Sequence, residues 1–191
     1  MKTIKADPLF TSARSALVFA YNFSGQSLAR PPVNRMAAPS AGTGKGLGGL
    51  DGAAQAGFIR REVKVLGTLP EAILIARIAP RSTPCGCRAL CCSGQKPNRE
   101  WIDSINLLAD HMRQTALAGC TSNGLMCREY VLRHFTVSTS RTSFEKIAEG
   151  YEVNRQTVGS HAGKVAKLLR TLEHAADGAI SDRLRMIGMS E

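Results

Sequence analysis

Apolar residues along the second half of this chain recur at threes, fours and sevens, which is the spacing of one buried face on successive helices. From Asp51, which can cap, Phe58, Ile59, Val63 and Leu66 share a face, and Gly67 ends the run. Thr68 opens a second helix. Pro70 and Glu71 sit in its first turn, Ile73, Leu74 and Ile78 form its stripe, and Pro80 stops it. Asn98 caps a third helix with Trp101, Ile102, Ile105, Leu108, Met112 and Ala116 on its inner side. A fourth follows Asn123 and buries Leu125, Tyr130, Val131 and Phe135. Next comes a short helix with Thr142 as cap, Glu145 closing a capping box, and Phe144, Ile147 and Ala148 inward. Gly150 is placed to take the left-handed residue that ends it, and Val153 to plug the turn. Asn154 then caps a longer helix striped by Val158, Val165, Leu168, Leu169 and Leu172, and a last helix is expected over residues 180–187. No alternation is long enough for a sheet and no segment repeats, so the expected fold is all-α.

Residues 1–49 differ. Pro31, Pro32 and Pro39 precede the run AGTGKGLGG, with little period, and this reads as a flexible arm. A phosphate loop does not fit there, since Pro39 stands where the first glycine belongs and Gly46 follows Lys45 where Ser or Thr is needed. Met36 offers an alternative start, in which case residues 1–35 do not belong to the protein. The expected organisation is an arm over 1–49, a helical domain over 50–122 and a helix-turn-helix region over 123–191.

The helix after Asn154 carries the chemistry. Asn154, Arg155, Gln156, Thr157, Ser160, His161 and Lys164 are expected outward, and no acid lies between Val153 and Arg170. A helix entering the major groove needs amides or guanidinium forks for base edges, and hydroxyls or ammonium groups for phosphates. Arg155 and Gln156 suit the bases, whereas Thr157, Ser160 and Lys164 suit the backbone. Glu152 occupies the turn position that glycine usually holds. The competing reading is an amphipathic helix pair whose basic face is merely solvated.

Charge points the same way. The net charge is +10 and the pI about 9.7, a balance that suits polyanionic partners. Residues 99–191 hold twelve Lys and Arg against eleven acids, so the surplus there comes from placement rather than amount. No apolar run is long enough to span a bilayer, and the stretch Ala16 to Tyr21 is too short for a secretion signal, so a cytoplasmic protein is expected.

Cys85, Cys87, Cys91 and Cys92 lie within PCGCRALCCSG. Four thiolates can hold one zinc tetrahedrally, with Cys120, Cys127 or His111 as substitutes; the alternative is a group of reduced cysteines in a tight loop. His134 and His174 read as surface or internally satisfied groups. Enzyme signatures such as HExxH and GxSxG are missing, and Asp103 and Asp110 are most simply the solvated face of their helix, so no enzyme is expected.

The order of CCSGQKPNREW, ALAGCTSNGLMCREYVLRHF and SFEKIAEGYEVNRQTVGSHAGKVAKLLRTLEHAADGAI resembles small phage and prophage regulators of the Q-like antitermination type. The helix-turn-helix is similar to region 4 of sigma factors, most closely in NRQTV and KVAKLL. The resemblance covers roughly residues 47–189. It implies a transcription regulator that binds double-stranded DNA near late promoters and acts with RNA polymerase and a sigma factor. A reading of another class is a helical adaptor that binds RNA polymerase or another phage protein without recognising DNA.

Overall fold

The computed structural model describes residues 8–23, 49–87 and 93–191. It is all-α apart from one small hairpin, as the periodicity requires. Among the described residues the helices are α1 (Ala13–Asn22), α2 (Gly49–Val65), α3 (Thr68–Ile78), α4 (Arg99–Gln114), α5 (Gly124–Phe135), α6 (Phe144–Gly150) and α7 (Arg155–Met186). Strands β1 (Ser82–Pro84) and β2 (Gln95–Pro97) pair antiparallel, with Thr83 opposite Lys96. A 3-10 turn, Ser138–Ser140, leads into α6.

Two compact units divide the chain, and the expected boundary at 122/123 is not where they part. One comprises the described residues up to Gly67 together with Asp177–Glu191; the other is Thr68–Ala176. The division falls at Gly67, whose φ of 97° ends α2, and inside α7. The separate last helix expected over 180–187 does not exist, because α7 runs unbroken for 32 residues. No proline interrupts it, Gly178 near the expected break costs only about 1 kcal/mol, and the stripe continues through Ala176, Ile180 and Leu184, all buried.

In the first unit the expected flexible arm contains an ordered helix. Ser12 and Ser15 form a capping box at the start of α1, with the Ser12 hydroxyl oxygen accepting from the Ser15 amide at 3.2 Å. Phe10, Ala13, Ala16, Leu17, Ala20 and Tyr21 are buried, a stripe at helical spacing, and α1 packs on α2. Ile59 and Val63 of α2 are fully buried there. The Arg60 guanidinium lies 4.7 Å from the centre of the Tyr21 ring, and its Nε donates to the Ala20 carbonyl at 3.1 Å. Phe10 pairs in parallel with Ser190, its amide donating to the Met189 carbonyl at 3.0 Å. The buried Glu62 meets Arg183 at 2.5 Å, which supplies the partner a buried carboxylate needs. Residues 1–7 and 24–48 of the expected arm lie outside the described residues.

In the second unit α4 packs on both α3 and α5. Ile105, Leu108, Met112, Tyr130 and Val131 form the centre, joined by Ile73 and Leu74. Trp101 donates its indole N–H to the Ala76 carbonyl at 3.2 Å, while Arg81 covers its ring at 5.2 Å. Asn123 caps α5 through the Met126 amide, 2.7 Å. Asn98 stands at the N-cap of α4, but its side chain donates to the Pro80 carbonyl at 2.8 Å, so it ties the hairpin base instead of the helix end. Leu125 turns outward and is 67% exposed, against the expected inward position.

Candidate nucleic-acid interface

Ser143 caps α6, its hydroxyl oxygen accepting from the Lys146 amide at 3.2 Å, so the cap lies one residue beyond the expected Thr142. The Thr142 carbonyl is taken by Arg133, whose guanidinium also lies over the Phe144 ring at 4.1 Å. Ile147 and Ala148 face inward as expected. Gly150 remains helical. The left-handed residue is Glu152, at φ 52°, so this turn is made without the glycine that would adopt it freely. The Val153 amide closes the turn on the Ala148 carbonyl at 3.0 Å, and Val153 is half-buried against it. Asn154 caps α7 by accepting from the Gln156 amide at 2.7 Å.

From this start α7 divides into two faces. Val158, Ala162, Val165 and Leu169 are buried. Asn154, Arg155, Gln156, Ser160 and Lys164 are exposed, continued by Lys167 and Arg170; Thr157 is half-buried. Gly163 is exposed among them and adds no bulk to that face.

His161 corrects the expected set. Its side chain is buried at 6% exposure, edge-on to Tyr130 of α5 with ring centres 6.1 Å apart. Neither its Nδ1 nor the Tyr130 hydroxyl has a hydrogen-bond partner among the described residues. Burial, and then the charge of Lys164, hold its pKa below the ordinary histidine value, so it stands neutral inside the helix pair rather than on the surface. Burial likewise pushes the Tyr130 phenol up to about 12.

Two contacts at this surface escaped sequence reasoning. Arg155 meets Glu145 of α6, Nε to Oε1 at 2.5 Å, with both side chains more than half exposed. The Glu145 carboxyl is held below the usual carboxylate range first by its own backbone amide, then by Arg155 and the Ser143 hydroxyl. Lys164 reaches the Cys120 sulfur at 3.6 Å. Arg155 lies ten residues after Glu145 and Lys164 forty-four after Cys120, so no local spacing rule connects either pair.

The remaining candidates fall elsewhere in this unit. His134 meets Glu173 at 2.9 Å, and Arg77 donates to the same carboxylate at 2.6 Å. Burial raises the Glu173 pKa, but these two partners outweigh it and hold the carboxyl low. His174 is exposed. Of the thiols expected to hold zinc, Cys85 follows β1 with its amide on the Gly94 carbonyl at 2.8 Å, and Cys87 is exposed; Cys91 and Cys92 lie outside the described residues. Among the described residues no three His, Cys, Asp or Glu side chains are grouped to hold a metal. Cys127 is a poor substitute ligand: it is fully buried, donates to the Ala109 carbonyl, and burial pushes its thiol up to about 11. No helix of the described residues is long and apolar enough to cross a membrane. Compared with protein-family models, curated proteins and solved structures, the chain matches none.

Proposed function

We propose that this chain is a DNA-binding transcription regulator that lays the first turns of α7 in the major groove. The observation that carries the reading is the division of α7: an outward set of Arg155, Gln156, Ser160 and Lys164, free of acids, on a ridge anchored by Val158, Val165 and Leu169. Arg155 and Gln156 read base edges, and Thr157, Ser160 and Lys164 hold the backbone. His161 is removed from the contact set and packs beneath it. The resemblance in NRQTV and KVAKLL supports a finer assignment, an antitermination regulator acting in the cytoplasm with RNA polymerase and a sigma factor. No reaction is assigned. Zinc binding at Cys85, Cys87, Cys91 and Cys92 is tested separately by metal analysis of reduced protein, where that reading requires close to one zinc per chain.

Titration of duplex DNA against salt tests the reading. If Lys164, Lys167 and Arg170 meet phosphates, log affinity falls with log salt at a slope of about −3, since each phosphate neutralised contributes about −0.9. Arg155→Ala and Gln156→Ala each lower sequence discrimination by about 1–3 kcal/mol, while Lys164→Ala weakens all duplexes alike. A protein that fails to bind duplex DNA at low salt overturns the proposal. The adaptor reading is favoured by the exposed Leu125 and Val137, and it requires salt-insensitive binding to RNA polymerase without affinity for DNA.

A further inference from the structure

We propose that Glu145 is a specificity-determining positioning residue, which holds Arg155 side-on so that the outer edge of its guanidinium is set for a guanine. The inference rests on the reading of α7 as a recognition helix and deepens it. A guanidinium offers two edges. The side edge contains Nε, and Nε is the guanidinium nitrogen that the Glu145 carboxylate approaches, with Oε1 at 2.5 Å. The outer edge, Nη1 with Nη2, is left for the bidentate pairing that guanine O6 and N7 accept.

Glu145 is itself held. It lies in the first turn of α6, next but one to Ser143, whose hydroxyl oxygen caps that helix through the Lys146 amide at 3.2 Å. The arginine is thus paired with a residue of the first turn of a short helix, and loses less rotamer freedom when it meets a base than an unpaired arginine does. Both side chains are accessible, Arg155 at 68% and Glu145 at 52%, as a contact with DNA requires.

The carboxylate has a second effect, of opposite sign. On a face that must approach phosphates, a negative charge weakens every DNA complex, and Arg155 neutralises it only while the two remain paired. A duplex that draws Arg155 away to a phosphate leaves Glu145 facing the backbone alone. Correct sites keep the pair and wrong sites break it, so discrimination gains from attraction and repulsion together.

The experiment uses the full chain. Wild-type protein selects its preferred duplex from a randomised DNA library, and affinities are then measured on that duplex and on a scrambled one. Glu145→Ala is expected to bind the scrambled duplex more tightly and the selected duplex less tightly, with discrimination falling about tenfold, the lower part of the range for one bidentate contact. Arg155→Lys, which keeps the charge but lacks the fork, gives the same loss, and the double variant loses no more than either single one. Glu145→Gln retains an oxygen that can accept from Nε and falls between wild type and Glu145→Ala. A merely structural role for Glu145 would weaken both duplexes together. Undiminished discrimination in Glu145→Ala and Glu145→Gln, with a wild type that does select a site, overturns the positioning role and leaves the reading of α7 standing. A wild type that selects no sequence overturns both.

Discussion

Replacing His161 by phenylalanine is expected to make the protein more stable, and increasingly so as pH falls. The imidazole is 6% exposed, and its Nδ1 has no partner among the described residues. A buried polar atom in that state costs about 1–3 kcal/mol. Phenylalanine keeps the edge-on packing against Tyr130 without the unpartnered nitrogen, and its slightly larger ring returns part of the gain as overpacking. About 1 kcal/mol of net stabilisation near pH 7.5 follows. The pH dependence has a definite sign. Burial and the Lys164 charge lower the folded-state pKa of His161, whereas the unfolded chain titrates near 6.5, so between those values the unfolded state binds more protons. Stability from this site is complete above about 6.5 and is lost as pH falls from there towards the folded pKa, at up to about 1.4 kcal/mol per pH unit. Tyr130 contributes an uncharged ring at these pH values, so no partner on α5 offsets the imidazolium. Urea unfolding followed by circular dichroism at several pH values measures both effects. Groups common to the two proteins cancel in the difference, and His161→Phe flattens the curve below pH 6.5. Parallel pH profiles, or a variant several kcal/mol less stable than wild type, would refute the placement of a neutral, unpartnered imidazole under α7.

Other substitutions separate the observed elements from the expected ones. Glu152→Gly removes a left-handed non-glycine residue costing about 1–2 kcal/mol and adds about 0.5–1 in unfolded-state entropy, so thermal unfolding is expected to show a small net gain. Ser143→Ala is expected to cost about 1 kcal/mol and Thr142→Ala less than about 0.5, and equal effects would return the cap to Thr142. Leu17, 1% exposed in α1, is expected to cost about 2–5 kcal/mol on truncation to alanine; an unchanged denaturation midpoint would mean that this segment is a free arm after all.

Where stripe and cap agreed, the sequence was legible. Asn123, Gly67 and Asn154 act at the ends to which they were assigned, and Ile105, Leu108, Met112, Val131, Val158 and Leu169 are buried where their spacing puts them. Failures have physical causes. In α1 half of the buried stripe is alanine, and the helix spans fewer than three turns, so its apolar period is faint beside the proline and glycine run that follows. The hairpin strands have three residues each and are largely exposed, leaving no alternation to read. His161 lies at the edge of the buried face of α7, where polarity argues for solvent and packing against Tyr130 decides otherwise. Likewise the hydroxyl of Ser143 rather than that of Thr142 meets the free amide, a difference of one residue that only backbone geometry resolves.

The near-neutral composition of residues 99–191 does not argue against a polyanionic partner, because the charges are unevenly placed and no acid lies between Val153 and Arg170. In the second unit Arg77 and His134 share Glu173, and Arg155 pairs with Glu145. Among the described residues no carboxylate pairs with Lys164, Lys167 or Arg170, which stand on one side of α7 beyond the turn. Charges that are paired over a few ångströms cancel at the distance of a phosphate, whereas three unneutralised cations on successive turns, a spacing within the Debye length, add there. Placement, and not the count of acids alone, sets the field at this surface. That same logic makes Glu145 the sensitive point: it is the acid paired with the arginine proposed to read a base, and discrimination depends on whether a duplex leaves that pair intact.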